Sequence, residues 1–321
     1  MLDIKLNIDF SQLKNKNILI TGASGLIGLY FLSSLKNIQK EYNIKVCAWI
    51  KNDIEPYLKD FFKDFTVIQG DITDAGLLKS LEPFDFIIHA AGYGQPNRFM
   101  DDKIKTIKIN TLSTMYLLDK LKDEGKFLYI SSSEIYSGLD EYHITEKETG
   151  KSSTDHPRAC YIESKKCGET ICYSSGKNIK IARLSLAYGP GAKKGDKRVL
   201  YSLIEKAMNN NCIELLDGGE SIRTYCYITD VIEMMWNIFL HGKEAVYNVA
   251  GISQISILDL AKLIGKEFIK EVITPAKKNE LIGSPKIVNI SVDRYVQEFN
   301  KTEFVDINQG LKNTIDWYKN I

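Results

Sequence analysis

Residues 17–28, NILITGASGLIG, constrain this chain more than any other stretch. Ile18, Leu19 and Ile20 form a short apolar run, the pattern of a buried strand. Thr21-Gly22-Ala23-Ser24-Gly25 reads as a turn, and an apolar helix is predicted to start near Leu26. Gly22, Gly25 and Gly28 are each three residues apart. Gly22 permits a tight turn, Gly25 lets a diphosphate approach the main-chain N–H groups, and Gly28 lets the helix pack on the strand. Such a glycine pattern is weak by itself. With a strand before it and a helix after it, it becomes a candidate dinucleotide-binding turn.

The rest of the first half repeats that opening. Short apolar runs at 45–50, 66–69, 86–90, 127–130 and 179–184 are bounded by turn residues and read as further strands. Between them, 104–121 and 159–174 show helical spacing of apolar residues. Alternation of this kind predicts an α/β fold, a Rossmann doubly wound parallel sheet with helices on both faces. Ligands then bind beyond the carboxyl ends of the strands, where the polar clusters at Gly22, Asp71, Gly92 and Ser132 fall. Residues 1–16 read as a surface arm. Beyond 185 the loops lengthen, and a smaller C-terminal substrate-binding lobe is expected. Residues 1–184, with about 225–255, are assigned to the dinucleotide-binding domain, and 185–224 and 256–321 to the lobe. A Ser-x-x-Asp capping pattern opens a helix at Ser256, and a last helix covers 307–319.

Composition narrows the function classes. The chain has 321 residues, 44% of them hydrophobic, and a net charge of +1, which gives no sign of a nucleic-acid or membrane surface. No apolar segment approaches the roughly 20 residues of a membrane span, and the N-terminus lacks the order of a signal peptide. The six cysteines form no C-x-x-C pair and read as buried free thiols in a reducing cytoplasm. The four histidines are scattered, so no metal site is expected. The lysine pairs 165–166, 193–194 and 277–278 read as solvated faces, apart from Lys165.

Tyr161 and Lys165 are the candidate catalytic pair. At i and i+4 of the predicted helix they face the same way. A phenol ionises near pH 10, and a neighbouring ammonium together with a positive nicotinamide would favour the phenolate. Ser132, at the end of the fifth strand, is the third member, hydrogen-bonding the hydroxyl to be oxidised. A Y-x-x-x-K pair alone is a common accident; here the glycine turn and the serine cluster stand upstream of it.

Taken together, TGASGLIG, GDI, HAAG, KTIKINT, YISSSEIYS, PRACYIESK, YGPG and RTYCYITD resemble the extended short-chain dehydrogenases/reductases of the nucleotide-sugar epimerase/dehydratase group. The likeness covers nearly the whole chain and is strongest to UDP-glucuronate decarboxylases and NDP-hexose 4,6-dehydratases. It implies that Tyr161 takes the proton of the sugar 4-hydroxyl while Lys165 holds the nicotinamide ribose. It also implies a cofactor site built from Gly22, Ser24, Gly25, Leu26, Ile27, Gly28, Asp71, Ile72, Ala90, Ala91, Gly92 and Asn110, with Tyr161 and Lys165. Asp71 and Ile72 would flank the adenine. Ser133, Arg198 and Arg223 would meet the substrate, Arg223 through its diphosphate. Glu134 would be a catalytic acid or base, because 4-epimerases of the group usually carry a small residue there and dehydratases and decarboxylases a glutamate. A homodimer is expected, joined through the helices that begin near Ile104 and Ala159, with Ile104, Met115, Ile162 and Ile171 as apolar candidates.

Three places depart from the family pattern. The second strand ends in Ile50-Lys51-Asn52-Asp53, where an acid usually grips the adenosine ribose, so NAD is expected and NADP stays open. Leu186 stands where an asparagine usually contacts the sugar nucleotide. HAAGYGQP differs from the usual decarboxylase turn and leaves no evident site for a glucuronate carboxylate. The leading expectation is an NDP-sugar 4,6-dehydratase, followed by a UDP-glucuronate decarboxylase and a 4-epimerase. A non-catalytic, cofactor-sensing Rossmann protein is the alternative of a different class; such proteins commonly lose the Tyr-Lys pair, which this chain keeps.

Overall fold

The computed structural model describes residues 4–139, 143–275 and 289–320. In chain order the strands are β1 (Asn17–Thr21), β2 (Lys45–Ile50), β3 (Thr66–Gln69), β4 (Phe84–His89), β5 (Leu121–Ser132), β6 (Asn178–Leu184), β7 (Leu186–Tyr188), β8 (Cys212–Glu214), β9 (Ile222–Tyr227), β10 (Val246–Val249), β11 (Ser253–Ser256) and β12 (Glu271–Ile273). Seven of them make one sheet in the order β10-β6-β5-β4-β1-β2-β3. Every pairing in it is parallel.

Parallel strands covered on both faces need apolar side chains at successive positions, since neighbours point to opposite sides. In β1, Ile18 and Ile20 enter one core and Leu19 the other. In β5, Leu128 and Ile130 face the first core, Phe127 and Tyr129 the second. The chain runs outward from β1 to β3 and then returns to place β4 on the other side of β1. That reversal opens a crevice at the carboxyl ends of β1 and β4, the place where open α/β sheets bind ligands. The glycine turn follows β1, and Ala90-Ala91-Gly92 follows β4.

The C-terminal half adds two small sheets, β11-β9-β7 and β12-β8. The helix Ile228–His241 and strand β10 return to the large sheet between them. The predicted cap is present: the Ser256 hydroxyl accepts the Asp259 N–H at 3.0 Å.

Several local expectations need correction. The N-terminal residues are not a surface arm: Ile4, Phe10 and Leu13 are buried. Phe10 and Phe31 both meet Trp236 edge-on, at 5.3 and 5.0 Å. A polar-looking segment was drawn inward by a few large apolar residues, since full burial of each is worth about 1.5–3 kcal/mol. The predicted helix over 104–121 is two helices, Lys103–Asn110 and Leu112–Asp119. They break at Thr111, whose hydroxyl donates to the Ile107 carbonyl at 2.8 Å and offers the backbone a competing partner. Strand β5 starts earlier than expected because Leu121 pairs with Phe84 across an irregularity that precedes the regular register. The cysteines are unpaired; Cys47, Cys172 and Cys226 are buried, but Cys167 is exposed. Among the described residues no helix is long and apolar enough to cross a membrane. The lysine pair at 277–278 lies outside the described residues.

Candidate active site

A cleft of about 520 Å³ runs along the carboxyl edge of the large sheet, roofed by the C-terminal segments. Gly22, Ser24, Gly25, Leu26, Ile27 and Gly28 line its floor. Gly22 has φ +66°, and a Cβ there would come within 2.7 Å of the Ala90 carbonyl oxygen. A Cβ on Gly28 would press on Ala23 Cα at 2.6 Å. Gly25 is the helix N-cap and has no side chain to satisfy the first amides of the helix Leu26–Ile38. Those amides face the cleft as a ready anion site, so the cradle fits a dinucleotide diphosphate.

The two strand ends are tied together beneath the cradle. Thr21 Oγ1 lies 2.8 Å from His89 Nδ1 and accepts the Ala91 N–H at 3.1 Å. Burial brings the His89 imidazole down to about 3, with Lys165 adding to the fall, so the ring stays neutral and serves as a strut. Asp71, Ile72, Ala90, Ala91 and Gly92 also line the cleft. Asn110 does not: it is buried behind the wall, where its Nδ2 donates to Ser164 Oγ at 2.8 Å.

The catalytic candidates come together at the centre. Ser132, Ser133, Glu134, Tyr161 and Lys165 all line the same cleft. Strand β5 delivers Ser132, the 3-10 turn Ser133–Tyr136 that follows it carries Ser133 and Glu134, and the helix Ala159–Ser174 delivers Tyr161 and Lys165 on one face. The Ser132 hydroxyl sits beside the Tyr161 phenol, whose ionisation it favours, and accepts the Glu134 N–H at 3.2 Å. Lys165 Nζ donates to the Ile130 carbonyl at 2.7 Å and lies 5.9 Å from the centre of the Tyr161 ring. Burial pushes the Tyr161 phenol up to about 12; Glu134 adds to the rise, while Ser132 and Arg158 oppose it. Burial also brings the Lys165 ammonium down to about 8, against the pull of Glu169. The sequence suggested that a nearby ammonium would favour the phenolate. Within the chain itself burial dominates the phenol, and the groups that favour its ionisation are Ser132 and Arg158 rather than Lys165.

A buried ion pair anchors this edge from below. Glu169 accepts from Arg183 Nη2 at 2.8 Å and from Ser131 Oγ at 2.5 Å. Arg183 also donates to the Tyr136 hydroxyl at 2.9 Å. This network fixes β5, β6 and the Tyr161 helix relative to one another.

Two residues at the site are not among the candidates named from the sequence. Arg158 Nη2 donates to Glu134 Oε1 at 2.6 Å, and both side chains are largely shielded from solvent. The Phe99 ring stacks on Tyr161 with centroids 4.6 Å apart and planes 11° off parallel. Arg158 could have been suspected from its place three residues before Tyr161; Phe99 could not. Arg223 and Leu186 line the cleft from the small sheet that contains β7 and β9. Arg223 stands on β9, close enough that Glu134 and Arg158 both bear on its charge. Arg198 also lines the cleft, but its guanidinium is engaged by Asp196, at 2.7 Å from Nη2 to Oδ2.

A doubly wound parallel sheet with a glycine cradle at the switch point, and a Ser-Tyr-Lys group beside it, defines a nicotinamide-dependent enzyme scaffold of the short-chain dehydrogenase/reductase type. The chain belongs to the NAD dependent epimerase/dehydratase family, whose model matches residues 18–250. A dTDP-D-glucose 4,6-dehydratase of Dictyostelium discoideum is 31% identical over 271 residues, 78% of this chain and 61% of that protein. UDP-glucuronic acid decarboxylase 1 of Xenopus tropicalis is 25% identical over 316 residues, 96% of this chain and 73% of that protein. Among solved structures, a UDP-glucuronic acid 4-epimerase from Bacillus cereus, in complex with UDP-glucuronic acid and NAD, superposes with a TM-score of 0.78. It is 25% identical, and the match covers 95% of this chain and 99% of that one.

Proposed function

We propose that this protein is an NAD-dependent NDP-sugar 4,6-dehydratase, which converts an NDP-hexose into its 4-keto-6-deoxy form with loss of water. The observation that carries this reading is Glu134, a carboxylate held at 2.6 Å by Arg158 in the cleft that contains Ser132, Tyr161 and Lys165. Elimination needs a base at C5; epimerisation at C4 does not.

Bound NAD would supply a hydride acceptor at C4, a hydride donor later, and a positive ring. The cradle of Gly22, Gly25 and Gly28 would hold its diphosphate, with Lys165 at the nicotinamide ribose and Asp71 and Ile72 at the adenine. Ser132 orients the 4-hydroxyl, and Tyr161 takes its proton. The resulting ketone acidifies the C5 hydrogen, which Glu134 removes. The 6-hydroxyl then leaves as water, with a proton returned from the same carboxyl group, and the C5–C6 double bond so formed would be saturated by the hydride taken from C4, delivered to C6, and a proton from water at C5. The small lobe would hold the nucleotide, leaving the sugar beneath the Tyr161 edge of the sheet.

A UDP-glucuronate decarboxylase is the second reading, favoured by two guanidinium groups, Arg158 and Arg223, beside one carboxylate. Incubation of the purified protein with UDP-, GDP-, CDP- and dTDP-sugars, followed by mass analysis, separates these outcomes. Loss of water supports the dehydratase and loss of CO2 the decarboxylase; unchanged mass with an altered NMR spectrum indicates an epimerase. No conversion, with no nicotinamide released on denaturation, would overturn the enzyme assignment.

Arg223 would grip the substrate diphosphate through its planar fork. Arg223→Ala is expected to raise KM by roughly tenfold or more while kcat changes far less. A KM that does not move for the true substrate removes Arg223 from the diphosphate site.

We also infer a homodimer. Ile104, Ile107 and Met115 are exposed on the helices Lys103–Asn110 and Leu112–Asp119, and Tyr173 is exposed on the helix Ala159–Ser174. Ile162, expected to share that face, is buried within the subunit. Two such helix pairs can meet across an interface of about 1,600 Å². Light scattering should give twice the chain mass, and a monomer at about micromolar concentration argues against the pairing.

A further inference from the structure

The end of the cleft beside β2 carries the wrong charge for a ribose that offers only hydroxyls. Ala23 N–H donates to the Trp49 carbonyl at 3.1 Å, and Gly70 N–H donates to the Ile50 carbonyl at 2.9 Å. Lys51, the next residue, is therefore pinned between the glycine turn and Asp71, where an acid that accepts from the ribose hydroxyls would stand. An ammonium has three donors and no acceptor, so it cannot replace that acid. The next acid along the chain, Asp53, accepts from Gln69 Nε2 at 2.9 Å and does not line the cleft.

Asp71 does line it, but its carboxylate is engaged. It accepts from Thr73 N–H at 3.0 Å and Thr73 Oγ1 at 2.8 Å, forms an ion pair with Lys105, and has Lys51 Nζ at 3.8 Å. Two ammonium groups thus face one carboxylate, and Asn52 adds an amide to the same wall. Lys51 Nζ also donates to the Tyr93 hydroxyl at 3.2 Å, which holds it over the cleft.

We propose that this end of the cleft takes a 2′-phosphorylated nicotinamide dinucleotide at least as readily as NAD, with Lys51 as the residue that reads the phosphate. The inference rests on the dinucleotide-binding reading of the glycine cradle. A 2′-phosphate brings about two negative charges and acceptor oxygens only, which complements the excess of donors here.

The test is a competition. Purified protein is incubated with equal excesses of NAD and NADP, desalted, and denatured, and the retained nucleotides are quantified by mass spectrometry. Wild type should retain at least as much NADP as NAD, and Lys51→Asp should move the ratio about tenfold or more toward NAD. Lys51→Gln serves as a second variant should Lys51→Asp fold poorly, with a shift in the same direction. A wild-type preference for NAD, or a ratio that neither variant moves, overturns the proposal. Retention of neither nucleotide instead overturns the cradle reading on which it rests.

Discussion

Tyr161→Phe is expected to lower turnover by about 10³-fold or more, with no reduced nicotinamide accumulating in the presence of substrate. The substitution removes one oxygen and leaves the ring that stacks on Phe99, so the wall keeps its shape. The fold and cofactor retention should therefore match wild type. What is lost is the phenol oxygen beside Ser132, the group proposed to receive the 4-hydroxyl proton. Within the chain, burial holds that phenol up to about 12, and a positive nicotinamide beside it would favour the phenolate. A rapid-mixing absorbance experiment on the holoenzyme reads this step directly. Normal formation of reduced cofactor in Tyr161→Phe would remove Tyr161 as the base.

Glu134→Gln should fail one step later. Glutamine is nearly isosteric and can keep a hydrogen bond from Arg158, which donates to Glu134 Oε1 at 2.6 Å in the native protein. It cannot take a proton from C5 or give one to the departing hydroxyl. Reduced nicotinamide should therefore appear at close to the wild-type rate and persist, while loss of water slows by at least about a hundredfold. Wild-type turnover in Glu134→Gln would leave the dehydratase reading without its main support and make a 4-epimerase the better account. The two variants are diagnostic as a pair, because one stops before the ketone forms and the other after it.

The parts of the site legible in the sequence are those in which nearby residues must cooperate. Gly22, Gly25 and Gly28 lie on one turn, and their conformational demands are local: a positive φ at Gly22, and contacts too close for a Cβ at Gly22 and Gly28. Tyr161 and Lys165 share a helix face by periodicity alone. Ser132 and Glu134 are two residues apart at a strand end, so whatever pocket receives one receives the other. Alternating apolar runs specified the doubly wound parallel sheet for the same reason, since a strand buried on both faces must be apolar at successive positions.

What the tertiary structure alone decided are the meetings between distant segments. Arg158 closes on Glu134 across 24 residues of chain, and Phe99 lies flat on Tyr161 although 62 residues separate them. The small sheet joins β7, β9 and β11 from three separate stretches. The N-terminal residues are pulled under Trp236. Asn110 is turned away from the cleft toward Ser164, and Arg198 toward Asp196. None of these follows from periodicity or spacing, because each depends on which surfaces the folded sheet brings within a few ångströms. Local sequence determines which conformations and faces are available; only packing decides which side chains meet and what charge each one then carries.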